Sequence, residues 1–159
     1  MPMAELKMFL TNLGCDNVKT ILNSGNVVFE TKKKDNAGLE RIIEMALTEH
    51  FGFPIPVILI PHNQISELVN EDPFADVEVH KNMRLYVSFL KEPSITNIKL
   101  HYISNDKAFT IIGVRDKFIV SVLDITTSNT PKGMEDLEKL FGKNITTRIW
   151  NTIQKINNC

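Results

Sequence analysis

The sequence predicts an α+β protein of two ferredoxin-like (split βαβ) halves in tandem, residues 1–79 and 80–159, the first half lacking its opening strand. Three observations predict it. Apolar residues recur at helical spacing in some stretches and gather into short β-branched runs in others. The elements after residue 80 read β-α-β-β-α-β, the order of a split βαβ domain. Those before it read α-β-β-α-β, the same order short of one strand. In this topology the opening strand lies mid-sheet, so its absence leaves its neighbours with backbone donors and acceptors to satisfy elsewhere.

Each element follows from local pattern. Met3, Leu6, Phe9, Leu10 and Leu13 repeat at helical spacing behind Pro2 and stop at Gly14, which suits the left-handed residue after a helix. "VKTIL" (18–22) and "VVFET" (27–31) are rich in β-formers and flank residues 23–26, Asn-Ser-Gly-Asn, the composition a tight hairpin turn requires. Residues 32–36 form a polar turn, and Leu39, Ile42, Ile43, Ala46 and Leu47 mark a second helix ending near Gly52. "PVILI" (56–60) predicts a buried strand, and Asn63 is placed to cap a short helix carrying Ile65, Leu68 and Val69.

After the connector "NEDPFADVEVHKN" the pattern resumes. "RLYVSFL" (84–90) predicts a strand, "SITNIKLHYI" (94–103) a weak helix opened by Ser94, and "AFTIIGV" with "KFIVSVL" a hairpin across Arg115 and Asp116. Met134, Leu137, Leu140 and Phe141 predict a helix behind Pro131, capped by Ser128 or Thr130. "KNITT" reads as a short strand, and a last helix carries Ile149, Trp150, Ile153 and Ile156, with Trp150 expected in the core.

Composition bounds the function. At 159 residues, 43% hydrophobic and 23% charged, the chain is long enough to bury a core without disulfide staples. Its two cysteines, Cys15 and Cys159, stand near opposite ends with neither disulfide density nor metal-ligand spacing, which predicts free thiols in a reducing cytoplasm. No signal peptide opens the sequence, and its most apolar run, "FPIPVILIP", is too short to span a bilayer. A net charge of −1 supplies no bulk attraction to nucleic acid or anionic lipid.

Little in the chain reads as chemistry. Ser24 sits between two strands, not on the strand-to-helix elbow that exposes a nucleophilic serine, so it reads as a turn residue. His50, His62, His80 and His101 fall in separate elements, so no metal site is assigned. Nucleotide fingerprints rich in glycine are missing too, and no cofactor is assigned. The remaining candidates are anionic. Lys132 follows a helix start, where free N–H groups attract anions. In "TTRIWNT", Thr146 or Thr147 is placed to cap the last helix, which puts Arg148 in its first turn against the positive end of the macrodipole. A bound carboxylate or phosphate, gripped by Thr146, Thr147 and Arg148 with Asn151 lining the pocket, would compensate; so would an internal carboxylate or projection into water.

Three stretches, "MPMAELKMFLTNLGCDNVKTILNSGNVVFE", "DPFADVEVHKNMRLYVSFL" and "TTRIWNTIQKI", resemble successive signatures of the bacterial domain-of-unknown-function 1697 family. The resemblance runs nearly end to end and implies tandem ferredoxin-like halves in one α+β unit, with no reaction attached. Members usually carry a strand and a Gly-rich stretch before the Pro-Met-Ala-Glu-Leu helix, whereas this sequence starts at the helix. Asp72 stands where Asn is common, and Ile149 replaces the usual Asn between Arg148 and Trp150.

Two alternatives to a small anionic ligand stand beside it. Tyr86 and Phe118 fall on strands that carry aromatics in RNA-recognition modules, but "RDKFIVSVL" lacks the glycine and repeated aromatics of that motif, so nucleic acid is not expected as a partner. A sheet edge left by the missing strand is instead able to pair with a copy of itself, giving a homodimer without any ligand.

Overall fold

A computed structural model of the chain describes residues 1–93 and 102–159. It is an α+β structure with five helices and two antiparallel sheets among the described residues. The chain divides into two compact units, Met1–Val69 with Gln154–Cys159 and Asn70–Ile153. The 70–79 connector lies in the second of these units. No helix is long and apolar enough to cross a membrane among the described residues.

The first unit opens with α1 (Met3–Asn12) behind Pro2. Gly14, at φ 99°, ends it: the Gly14 and Cys15 amides donate to the Thr11 and Leu10 carbonyls, the paired bonds of a Schellman stop. Strands β1 (Asp16–Ile21) and β2 (Asn26–Glu30) form the expected hairpin, with Gly25 at φ 78° in its turn. Helix α2 (Asn36–Phe51) is capped by the Asp35 carboxylate on the Gly38 amide and stops at Gly52, φ 77°. Leu6 and Leu10 of α1, Val18 of β1 and Leu39, Ile43 and Leu47 of α2 make the core, with Ile55, Val57 and Leu59 packed against it.

Residues 54–61 correct one expectation. They form no strand, because among the described residues no neighbouring strand offers them a ladder. Helix α3 (His62–Glu71) then starts one residue ahead of Asn63, so Asn63 lies within its first turn and not at its cap.

The second unit is a five-stranded sheet of order β4-β5-β6-β3-β7, antiparallel throughout. Its strands are β3 (Met83–Leu90), β4 (Tyr102–Ile103), β5 (Phe109–Arg115), β6 (Phe118–Asp124) and β7 (Ile145–Ile149). The helix expected over 94–103 lies outside the described residues, except that Tyr102 and Ile103 belong to β4. Helix α4 (Thr130–Phe141) packs Leu137 onto Tyr86, Phe109, Ile111, Ile119 and Leu123 of the sheet. Gly133 permits the approach: a Cβ there would lie 3.2 Å from Leu123 Cδ2. The cap is Asn129, whose side chain accepts from the Lys132 amide, and not Ser128 or Thr130. Helix α5 (Trp150–Asn157) follows β7 directly.

Candidate functional site

The short strand read over "KNITT" forms as β7 and runs on to Ile149, past the helix start that the sequence also places at the threonines. Residues 145–149 pair with β3 through the partners Thr146 and Phe89, Thr147 and Ser88, and Arg148 and Val87, so neither threonine caps a helix. Four β-branched residues in five favour the strand, and a continuous ladder outweighs a single cap bond. Arg148 is therefore a strand residue, and the macrodipole conflict does not arise.

Strand geometry then separates the candidates. Successive side chains face opposite sides of a sheet, so Thr146 and Arg148 share one face while Thr147 points to the other. There Thr147 exchanges a hydroxyl hydrogen bond of 2.8 Å with Ser88, which is fully buried. The half-buried Arg148 Nη1 donates to the Thr146 hydroxyl (2.6 Å) and to the Thr147 carbonyl (3.0 Å). Burial pushes its pKa down. Asn151 is exposed on α5. Lys132 is engaged on α4, its ammonium 3.0 Å from Asp106 Oδ2. Of the five candidates the structure brings Thr146 and Arg148 into contact and assigns Lys132 to an ion pair. Trp150 is half-buried, not a core residue, and meets Phe74 edge-on at 5.1 Å between centroids.

The aromatics offer no stacking platform. Tyr86 is buried with its hydroxyl 2.9 Å from Thr130 Oγ1, and Phe118 is buried on the opposite face, edge-on to Phe89. Ser24 is an exposed turn residue whose hydroxyl accepts from Asn26 Nδ2 at 2.8 Å. His50 pairs with Glu5 at 3.0 Å, His62 with the Ile156 carbonyl at 3.1 Å, and His80 with Asp124 at 3.7 Å; His101 lies outside the described residues. Among the described residues no three His, Cys, Asp or Glu side chains gather to hold a metal ion. A hollow of about 340 Å³ in the first unit is lined by Gly14, Cys15, Thr31 and Lys33 among others. Its Cys15 thiol is pushed up in pKa chiefly by burial and then by Asp16, with Lys33 opposing, which disfavours the nucleophilic thiolate.

A more ordered polar arrangement lies on α2. Glu40, Glu44 and Thr48 are spaced one helical turn apart, beside the core row Leu39, Ile43 and Leu47. Glu40 Oε2 accepts from the Leu59 amide at 2.8 Å, Glu44 Oε2 from Val57 at 2.9 Å, and Thr48 Oγ1 from Ile55 at 3.4 Å. Four helical residues advance about 6 Å, close to the roughly 6.7 Å of two extended residues, so one row of side chains serves every second amide. Residues 55–59 thus run extended and antiparallel to α2, with a helix supplying acceptors where a strand would. The amides of Ile58 and Ile60, of the other parity, make no hydrogen bond among the described residues.

The family described as "Protein of unknown function (DUF1697)" matches residues 1–111, all of α1 to α3 and the start of the second sheet. The chain belongs to this family. A solved structure of a conserved bacterial protein from Streptococcus pneumoniae is similar to this DUF1697 chain at a TM-score of 0.75 and 22% identity, covering 99% of this chain and 88% of that one. At that identity the likeness concerns the fold. No curated protein matches. The α2 row in this DUF1697 chain went unread in its sequence, although its signal is present: polar residues at positions 40, 44 and 48, each one place after a core residue.

Proposed function

We propose that the protein acts as a binding module and that residues 54–61 are its contact element. The observation that carries this is the one-sided satisfaction of that segment: the amides of residues 55, 57 and 59 are taken by α2, and those of Ile58 and Ile60 are left for an added strand. An extended, apolar edge is a template for strand addition. Amide exchange in the dilute monomer tests the reading. Ile58 and Ile60 are expected to exchange fast while Val57 and Leu59 are protected; protection of Ile58 and Ile60 at that dilution would show the edge already filled.

The finer architecture supports the same reading. We infer that both units follow one split βαβ plan. In the second, hairpin β5–β6, helix α4 and strand β7 follow one another around the central β3. In the first, hairpin β1–β2, helix α2 and segment 54–61 follow in the same order with no central strand among the described residues.

A second reading rests on the half-buried Arg148 guanidinium beside the Thr146 hydroxyl, a pair suited to a carboxylate or phosphate. Inorganic phosphate is then expected to raise the melting temperature of the wild type in proportion to the logarithm of its concentration, and not that of Arg148→Ala. An equal response in both proteins would remove this site.

A further inference from the structure

We propose that the hollow in the first unit binds a small zwitterion, an α-amino acid with an apolar side chain, whose ammonium meets Asp16 and whose carboxylate meets Lys32 and Lys33. Its walls come from residues 13–16, 31–33 and 39, so the site stands apart from the 54–61 edge and from the reading given to that edge.

The fold makes the hollow from two neighbouring loops. Strand β1 begins at Asp16 and β2 ends at Glu30, and these two residues are registered opposite each other. The chain entering β1 from the stop of α1 and the chain leaving β2 towards α2 therefore emerge side by side. Between them lies the space of about 340 Å³, at the small end of the roughly 300–1,000 Å³ of small-molecule sites. Gly14 gives one wall bare backbone, and no atom lies within 4 Å of where its Cβ would stand. Thr31 shapes the other, its hydroxyl accepting from the Lys33 amide at 3.2 Å and closing the turn that carries both lysines.

The rim carries charge of both signs. Asp16, Lys32 and Lys33 are exposed, and among the described residues none of the three side chains makes an ion pair or a hydrogen bond. Opposite charges thus line one space without pairing with each other. A simple anion, phosphate included, would be drawn by the lysines and opposed by Asp16, and a simple cation would meet the reverse. An ammonium and a carboxylate on one carbon satisfy both sides of the rim at once, each contact being charge-assisted.

The floor is apolar. Cys15 and Leu39 are each 4% exposed and belong to the core of the unit, with Leu13 packed against them. Burial first and Asp16 second raise the Cys15 pKa, with Lys33 opposing, so the thiol stays neutral. It makes no hydrogen bond among the described residues and presents a soft, nearly apolar surface. An apolar side chain seated there removes leucine surface from water, whereas a polar one would be left without a partner.

Calorimetry and thermal melts of the full chain test the site with L-leucine, isocaproate and isoamylamine, which share one side chain and carry both charges, the carboxylate alone or the ammonium alone. Leucine is expected to bind saturably, to raise the melting temperature with the logarithm of its concentration, and to bind roughly threefold to tenfold tighter than either analogue. Glycine, with no side chain, should bind more weakly than leucine. Asp16→Asn should abolish the preference for leucine over isocaproate, and Lys32→Gln/Lys33→Gln the preference over isoamylamine; circular dichroism checks that both variants keep the fold. The amide resonances of Gly14, Cys15 and Lys33 should shift during the leucine titration. Leucine that neither binds nor stabilises up to its solubility limit would overturn the site. Equal binding of leucine to the wild type and both variants would place it elsewhere and overturn the proposal, and isocaproate or inorganic phosphate bound as tightly as leucine would overturn the zwitterion. None of these results bears on residues 54–61.

Discussion

Replacing Glu40 by alanine is expected to loosen residues 55–59 from α2. The Glu40 side chain is only 8% exposed and its carboxylate meets the Leu59 amide at 2.8 Å, so water neither competes for the bond nor replaces it when the side chain is removed. A hydrogen bond to a charged group contributes about 1.5 to 3 kcal/mol, and Glu40→Ala falls in that range. Helix propensity acts in the other direction, since alanine is the better helix former, so it does not account for a loss. Glu44 is half-buried, so Glu44→Ala is expected to cost less, about 1 kcal/mol. Thr48→Val, which removes a long 3.4 Å contact, should fall within about 0.5 kcal/mol. Glu40→Gln keeps an acceptor oxygen and should lose about half of what alanine loses.

The graded order is the discriminating claim. Because Trp150 lies in the second unit, tryptophan fluorescence is the wrong probe; urea unfolding followed by far-ultraviolet circular dichroism and amide exchange reports the first. Exchange at Leu59 should accelerate most in Glu40→Ala. A loss below about 0.5 kcal/mol for Glu40→Ala, or a Leu59 amide that exchanges no faster, would refute the role given to the α2 row.

Three further outcomes are expected. Gly25→Val should cost about 1 to 2 kcal/mol through backbone strain alone, since φ is 78° and a Cβ would meet no atom within 4 Å, while Ser24→Ala stays within about 0.5 kcal/mol; thermal melts of both decide it. The Asp106 carboxyl is held well below its usual range, first by the Ser104 hydroxyl at 2.5 Å, then by Lys132 and the Ala108 amide. A depressed folded pKa stabilises above the unfolded value of about 4 and loses that contribution as pH falls through the folded one, so Asp106→Asn should flatten the stability profile below about pH 4 in urea titrations. A thiol reagent should modify the exposed Cys159 quickly and the buried Cys15 only on the timescale of opening, seen as two phases; a single fast phase of two thiols would contradict the burial of Cys15.

Much of the fold was legible because its signals are local. Gly14, Gly25 and Gly52 stop a helix, turn a hairpin and stop a second helix where composition alone put them, and the hairpin across residues 115 and 116 was read correctly on both sides. What was not legible depends on partners distant in sequence. Thr146 and Thr147 read both as the end of a short strand and as helix caps, and the strand holds because β3 offers them a ladder; the residues around 56–60 look like a strand and are not one because nothing among the described residues offers them a ladder. Trp150 shares a helical face with Ile153, which is fully buried, yet sits at the first position of α5 against Phe74, where the end of the helix leaves one side of the ring open. The same alternation divides the anion candidates: Thr147 and Arg148, consecutive on a strand, face opposite sides, whereas Thr146 and Arg148 share one.

The α2 row also limits itself, which explains why it serves three amides and no more. Each helical step of four residues falls about 0.7 Å short of two extended residues, so the mismatch reaches about 1.4 Å over two steps. The bonds lengthen in that order, from 2.8 Å at Leu59 through 2.9 Å at Val57 to 3.4 Å at Ile55. At the opposite end the next residue of the same parity is Pro61, which has no amide to offer Asn36 one turn back along the helix. One end of the ladder is thus set by drift and the other by chemistry. A helix can hold a short extended segment straight in this way but cannot replace a strand, since its side chains accept hydrogen bonds from one parity only and the amides of Ile58 and Ile60 make none among the described residues.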